Sequence, residues 1–491
     1  MSDPRGFLNN VFLKIGRKFG LQEKLGIRTL LSQNLSPLEL VERNGQFEPP
    51  DSSESTLKSQ GLHKVLDQLA LKRIERTEKR LNLRVVPSVP RDFGPSKENV
   101  LVFLTSSLPY TNSGYSLRSH NLYSALASQA NVNVIAMTRY GYPWVIGHAV
   151  RNAIDVVDNL KYVRILPRVF SLNPKQAIDQ AVESMVKLCK LNAITLIHTT
   201  TDFTNALVAS RAAAELGIPW IYEVRGEPES TWLASVQGEA VGENQLPRYF
   251  EKMRAKEDEA IRAAWRVITL SEVSLSKLVA RGHEESKCRV VPNGFQNQLL
   301  HIPKHRARLR KDNTISNGTV LIGVISSIVG YEGIDTLIRA IPLLPSTYEV
   351  VVVGAGEKLD SLKQLARNLD VDARILFTGA VPEVEAMDWY REIDVLCVPR
   401  IDSEVTRSVT PLKTLPASAL GVPIVASDLP ALREVTGGYA KFFEPENPVE
   451  LAKTLLILDQ SPIDLECARR WVESRTWNAL GEKVAKIYTG A

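Results

Sequence analysis

From Asn99 onward, short runs of apolar, β-branched residues alternate with stretches whose apolar positions recur every three to four residues. The first pattern predicts buried strands and the second amphipathic crossover helices, so their alternation predicts parallel sheets wrapped by helices. A first set of strand-like runs comprises NVLVFLTSS at 99, VNVIAMT at 132, YVRILPR at 162, ITLIHTTT at 194, PWIYEVRG at 219, RVITLSE at 266 and CRVVPNG at 288. A second comprises TVLIGVIS at 319, YEVVVVG at 348, RILFTG at 374, DVLCVP at 394 and VPIVAS at 422. Between them, residues 301–318 (HIPKHRARLRKDNTISNG) are polar, basic and strandless, which marks a linker. The chain thus reads as an extension over 1–97, a first α/β domain over 98–300, the linker, a second α/β domain over 319–470, and a C-terminal helix over 471–491. In open parallel sheets ligands collect beyond the carboxyl ends of the strands, and two such domains in series commonly bind between them. The residues just after each strand are therefore the candidates for chemistry.

The first 97 residues follow a different pattern. Phe7, Leu8, Val11, Phe12, Ile15 and Phe19 recur at helical spacing while Lys14, Arg17 and Lys18 fall largely on the other side, which predicts a basic amphipathic helix. Residues 44–60 read as a flexible linker and 62–82 as a charged helix. Two readings of the basic helix stay open: residues 5–28 lie on an anionic membrane surface, or the apolar face packs on the protein's own body or a partner helix. In either case the extension is expected to direct the protein rather than build its site. This segment holds 17 lysines and arginines against 11 aspartates and glutamates, while the whole chain has a net charge of +5. The remaining body is close to neutral, which argues against nucleic acid as the main partner.

No apolar run approaches the roughly 18–20 residues needed to cross a bilayer, and the N-terminus lacks the features of a secretory signal. Cys189, Cys288, Cys397 and Cys467 are scattered and form no C-x-x-C pair, so neither a disulfide framework nor a zinc site is expected. A cytoplasmic protein follows, peripheral at the inner face of the membrane on the first reading of its extension.

The first strand feeds TSSLPYTNSGYSLRSH, where Gly114 opens a helix beside a polar turn and lets backbone approach an anion or a sugar hydroxyl; a plain turn is the bland alternative. Arg118 and His120 follow and are expected to project toward the cleft. His198 closes ITLIH at a carboxyl end, where it either contacts substrate or serves as a structural histidine. One strand later, YEVRGE sets Glu223, Arg225 and Glu227 beside the cleft, or forms a local ion pair. In the second domain, VVVGAGEK places Gly354 and Gly356 after a strand, without the third glycine of a dinucleotide fingerprint. The stretch VPRIDSEVTRSVTPLK supplies Arg400, Glu404, Arg407 and Lys413, with Pro411 near an expected helix start; cations and helix-start amides suit a diphosphate.

Taken in order, RVVPNGF, GVISSIVGYEGIDTLIRAIPLL, VVVGAGEKLDSL, FTGAVPEVEAMDWYREIDVLCVPR and ALGVPIVASDLPALREV resemble glycosyltransferase family 4 over roughly residues 99–450. The variants SGYSLRSH, YEVRGE, YEGID and VTPLK are closest to a bacterial subset associated with surface polysaccharides. The resemblance implies a GT-B fold of two facing Rossmann-like domains with parallel sheets, here with a mainly helical N-terminal extension. It implies a retaining transfer from a nucleoside diphosphate sugar in the second domain to a carbohydrate or lipid-linked acceptor in the first, with no cofactor and no obligatory metal. By motif, Gly114 lies near the donor phosphate, His198 near the transferred sugar, and the FTGAV backbone (Gly379, Val381) near the base. The family's diphosphate Arg and Lys fall at Ser326 or Ser327 and at Glu332, so Arg400 and Lys413 are the expected replacements. Its paired glutamates are also missing: Pro416 stands at the ribose-binding position and Arg407 or Ser408 near the other, leaving Glu404 as the acid that reaches the site from a shifted loop. Catalytic candidates are then His198, Arg225 and Glu404. A catalytically silent protein of the same fold, acting as a partner in an assembly complex, remains the alternative.

Overall fold

A computed structural model describes residues 78–91, 97–171, 173–230, 248–302, 318–458 and 460–490. The basic helix at 5–28, the linker at 44–60, most of 62–82 and most of 301–318 lie outside the described residues.

Every strand-like run of the sequence forms a strand. The first sheet contains β1 (Glu98–Leu104), β2 (Val132–Thr138), β3 (Ile154–Val157), β4 (Leu160–Arg164), β5 (Leu196–Thr200), β6 (Trp220–Val224), β7 (Arg266–Thr269) and β8 (Cys288–Val290), in the order β3-β4-β2-β1-β5-β6-β7-β8. β1 pairs in parallel with both β2 and β5, so the strand order reverses between β1 and β5. β3 was not expected: it is an antiparallel edge strand joined to β4 through Asp158 and Asn159, with Asp158 at a φ of +50°. An Asp-Asn pair is a weaker hairpin signal than Asn-Gly or Asp-Gly.

The second sheet contains β9 (Val320–Ile325), β10 (Tyr348–Val353), β11 (Ile375–Gly379), β12 (Val395–Val398), β13 (Ile424–Ser427) and β14 (Lys441–Phe443). Its order is β11-β10-β9-β12-β13-β14, wholly parallel, and it reverses between β9 and β12. Successive residues of a strand face opposite sides, and both sides of this sheet are buried. Leu321, Ile325, Val351 and Val353 pack in one core with Leu396 and Val398, whereas Ile322, Val324, Val350 and Val352 pack in the other with Val395 and Cys397. This two-sided burial is why the strands read as unbroken apolar runs.

The compact units depart from the expected boundaries. Of the described residues, those up to Ile268, with 283–289 and 485–490, form one unit; 269–282 and those between Val290 and Val484 form the other. The division therefore falls before the linker expected at 301–318. The C-terminal helix expected over 471–491 spans Trp477–Thr489, and a separate helix, Leu465–Glu473, precedes it.

The end of the extension is also part of the first unit. Leu81 and Val85 are buried, the Val85 N–H donates to Glu259 Oε1 at 2.8 Å, the Val86 N–H to Ser210 Oγ at 3.1 Å, and Lys256 Nζ donates to the Leu83 carbonyl at 2.8 Å. The Ser88 N–H donates to the Ala263 carbonyl, and its hydroxyl oxygen accepts the Trp220 N–H. Residues 81–88 thus strap two helices and β6, so the end of the extension packs into the first unit. A chain beginning at Lys97 should be less stable than one beginning at Glu78 by roughly 3–5 kcal/mol, the burial of two aliphatic side chains plus their hydrogen bonds. Urea unfolding of the two truncations measures the difference, and equal midpoints and slopes would refute the strap.

Candidate functional site

In the first unit the strand reversal lies between β1 and β5, and the helix Gly114–Ala127 starts just beyond it. Ser113 caps this helix by accepting the Ser116 N–H, and Gly114 is exposed at its first position. Tyr115 ties the two strands at their ends, accepting the Thr105 N–H at 2.9 Å and bonding the Thr200 hydroxyl. Asn205 Nδ2 donates to Thr105 Oγ1 at 2.7 Å and to the Thr200 carbonyl at 3.0 Å.

His198 is not at the carboxyl end of its strand. β5 runs on to Thr200, and His198 is paired across to Val102 and Ile221 in mid-sheet, fully buried. Its Nδ1 bonds the buried Tyr488 hydroxyl, and Nε2 lies 3.5 Å from the Tyr123 hydroxyl and 3.7 Å from Glu223 Oε2. Burial pushes its pKa down to about 4, against the pull of Glu223, so the imidazole is neutral at pH 7.

Glu223 is the hub of this cluster. Arg118 Nε and Nη2 donate to Oε1 at 3.0 and 2.7 Å, and Arg225 Nε and Nη2 donate to Oε2 at 2.8 and 2.6 Å. The Tyr123 hydroxyl adds a bond to Oε2 at 3.1 Å. Burial alone would raise the carboxyl pKa, but Arg225 and Arg118, with His198, hold it well below the usual range. Arg225 also donates to the Tyr115 carbonyl and Ser119 Oγ and stacks over the Tyr115 ring, so it fixes the first turns of the helix. Two expectations are corrected. Arg118 is buried on Glu223, while His120 Nε2 lies 2.8 Å from Asp158 Oδ2 and Nδ1 bonds Tyr162, so neither projects from the helix start toward a cleft. The Glu223–Arg225 pair is no surface contact either, and breaking it leaves an uncompensated buried charge.

In the second unit the reversal between β9 and β12 places Ser326 and Ser327 beside Arg400 in the chain's topology. Arg400 and Lys413 meet on one carboxylate. Arg400 Nη2 donates to Glu332 Oε1 at 3.1 Å and Lys413 Nζ to Oε2, with side-chain exposures of 7%, 10% and 6% for Arg400, Lys413 and Glu332. Burial pushes the Lys413 pKa down to about 8 while Glu332 opposes it; burial would raise the Glu332 carboxyl, but Lys413 and Arg400 hold it below its ordinary value. Ser326 Oγ is buried without a hydrogen-bond partner among the described residues, and Ser327 is exposed.

Gly354 and Gly356 serve a close approach of backbone to backbone. A Cβ on Gly354 would lie 1.9 Å from the Ser326 carbonyl oxygen, and one on Gly356 2.2 Å from that of Ile328. The Ile328 N–H donates to the Ala355 carbonyl at 3.0 Å, so the glycine turn is the bed of the loop after β9. Gly379 joins it by accepting the Gly354 N–H, and Val381 is half-buried nearby in sequence.

Other candidates stay apart from the Glu332 cluster. Arg407 is 59% exposed and forms a two-bond pair with Asp402 of its own loop. Glu404 is exposed at the start of the short helix Glu404–Ser408, 3.8 Å from Lys277 Nζ, and Lys277 also bonds Ser408 Oγ at 2.9 Å. Pro411 starts no helix: the next one is Thr414–Ala419, with Pro416 buried inside it. Sequence reasoning missed Tyr488 and Glu332 as partners. Nothing in the sequence links Tyr488 to a residue 290 positions away, but the inverted charge at Glu332 and the nearby surplus of cations was a usable signal.

Two Rossmann-like domains with parallel sheets of these orders are the architecture of the GT-B glycosyltransferases. Residues 113–294 match the family model for a glycosyl transferase 4-like domain and residues 319–460 that for glycosyl transferases group 1, and with the fold these make the chain a GT-B glycosyltransferase-family protein. It is 26% identical over 272 residues to the GDP-mannose-dependent alpha-(1-6)-phosphatidylinositol monomannoside mannosyltransferase of Mycobacterium tuberculosis (strain CDC 1551 / Oshkosh), covering 52% of this chain and 69% of that protein. Among solved structures it resembles a sucrose-phosphate synthase from Thermosynechococcus elongatus, with a TM-score of 0.62, 16% identity and coverage of 80% of this chain and 98% of that one. It also resembles the Anabaena protein HepE in complex with UDP, with a TM-score of 0.60, 15% identity and coverage of 80% and 100%.

The histidine cluster predicts a pH dependence with a definite sign. His198 titrates at about 4 when folded and near 6.5 when unfolded, so the unfolded chain binds the extra proton between those values. Stability is then full above pH 6.5 and falls as the pH drops, by about 2 kcal/mol between pH 7 and pH 5. Urea unfolding at both pH values should show this loss in the unaltered chain and a flatter dependence in His198→Asn. Equal slopes in the two would place the titration elsewhere.

Proposed function

We propose that the protein is a retaining glycosyltransferase. It moves a sugar from a nucleoside diphosphate sugar, held by the second domain, to a carbohydrate or lipid-linked acceptor held by the first. Its setting is bacterial cell-surface polysaccharide or glycoconjugate synthesis. The observation that carries the reading is the pair of buried cations, Arg400 and Lys413, that share one carboxylate at the strand reversal of the second sheet. As the anomeric bond breaks, negative charge grows on the departing diphosphate, so cations already in place there stabilise the transition state more than the ground state. The reading assigns that charge to side chains, without an obligatory metal. The name of the mycobacterial relative, with its nucleotide-sugar donor and phosphatidylinositol-based acceptor, supports both substrate classes. In this scheme the Glu223 cluster is structural: it fixes the helix that begins at Gly114, and His198 acts through it rather than on the sugar.

A second reading has a specific observation in its favour. Pro416, buried in Thr414–Ala419, offers no acceptor for ribose hydroxyls, and Glu404 is exposed and turned to Lys277, which suits a silent protein of this fold. A thermal-shift panel of UDP-, GDP- and dTDP-sugars separates the two. A true donor at 100 times its Kd should add ~2.7 kcal/mol of stability, and no shift with any of them favours the silent reading. Arg400→Ala and Lys413→Ala should each lower turnover roughly 10²- to 10³-fold and weaken nucleoside diphosphate binding while leaving nucleoside binding nearly unchanged. Calorimetry with equal losses for nucleoside and nucleoside diphosphate would remove both residues from the mechanism.

A further inference from the structure

The turn that carries Glu332 is locked to the segment that carries Arg400 by backbone alone. The Ile401 N–H donates to the Tyr331 carbonyl at 3.2 Å. Gly333, at a φ of +63°, lies so close that a Cβ there would be 2.0 Å from the Pro399 carbonyl oxygen. Glu332 is therefore fixed against residues 399–401 before any side chain is considered. Its carboxylate then sets the cations: Arg400 comes to Oε1, with Nε at 3.5 Å from Oε2, and Lys413 comes to Oε2. Arg400 reaches on with Nη1 to the Val409 carbonyl at 2.9 Å and rests over the Tyr331 ring, so the loop before Lys413 is drawn to the same point. Asn293 Nδ2, donating to the Thr410 carbonyl at 3.3 Å, holds that loop from another side.

One carboxylate between two buried cations leaves one positive charge unmatched, and among the described residues no second carboxylate forms an ion pair with either cation. A buried charge without a partner is costly, so the arrangement favours an anion from outside. We infer that Glu332 is a positioning residue for a diphosphate: it holds Arg400 and Lys413 side by side as one receptor, and the charges at 332 and 413 are interchangeable. What matters is an acid and a base facing each other beside Arg400, not which segment carries which. The inference rests on the donor reading above.

The charge exchange tests it. Lys413→Glu places two carboxylates together and should weaken binding of UDP or GDP by about 100-fold or more, whereas uridine or guanosine binding changes little. Adding Glu332→Lys should restore nucleoside diphosphate affinity to within about tenfold of the unaltered chain, because the ion pair re-forms and the net charge beside Arg400 is unchanged. A folded double variant that binds no better than Lys413→Glu overturns the inference. Should the double variant not fold, Glu332→Asp decides: it keeps the charge but shortens the reach by one methylene, and should weaken UDP or GDP about tenfold with the nucleoside unaffected. Unchanged binding in Glu332→Asp, or equal loss for nucleoside and nucleoside diphosphate, refutes the positioning role. If the unaltered chain binds neither UDP, GDP nor dTDP, the donor reading itself fails and this inference goes with it, an outcome distinct from binding that the exchange does not restore.

Discussion

A carboxylate buried between two cations is the constraint on which both halves of the molecule depend. Taking a carboxylate out of water is costly unless its oxygens are fully bonded, and each of these acids meets that requirement with cations drawn from different elements. Glu223, on β6, gathers Arg118 from the helix after β1 and Arg225 from its own strand end. Glu332, in the turn after β9, gathers Arg400 from the end of β12 and Lys413 from the loop beyond it. Around Glu332 the pairing bridges β9 and β12, the two strands at which the second sheet reverses, whereas around Glu223 it joins β6 to the helix that follows β1. The same desolvation that makes the pairs costly to break makes them rigid, and rigidity at a strand reversal is what an anion or sugar site requires.

Much of the fold was legible because its strands are buried on both faces. Val350 to Val353 alternate between two cores yet are all apolar, so the run YEVVVV announces a central parallel strand without ambiguity. The two strands that escaped notice are at sheet edges, where burial is partial: Ile154 and Val156 of β3 are exposed, and β14 is three residues long. Site chemistry was legible at lower resolution. Sequence position correctly brought Arg400 and Lys413 to one place, but Arg407, only seven residues from Arg400, turned outward to Asp402. The direction of a side chain after a strand end depends on loop geometry, which no periodicity encodes. His198 reads as a carboxyl end because the apolar part of its run stops there, but β-branched Thr199 and Thr200 continue the strand beyond it.

The glycines of the second domain illustrate how one sequence signal admits two physical causes. A Gly-x-Gly turn after a strand lets a ligand approach the backbone, but it equally lets another segment of the same chain do so. Here the space beside Gly354 and Gly356 is taken by the carbonyls of Ser326 and Ile328. The glycines therefore seat the loop that begins with Ser326 and leads on to Glu332.

This arrangement bears on how the second domain can attract an anion at all. The helices that follow β12 are short, Glu404–Ser408 with five residues and Thr414–Ala419 with six, and the segment 409–413 between them is not helical. A helix end supplies a useful field by aligning many peptide dipoles and offering several free amides, and one- or two-turn helices supply little of either. Positive potential at this strand reversal must then come chiefly from side chains. Lys413, whose ammonium is partly discouraged by burial, stays cationic near neutral pH because Glu332 opposes that effect. An acid at position 332, which on its own would repel a phosphate, thus sustains the cation that a phosphate needs.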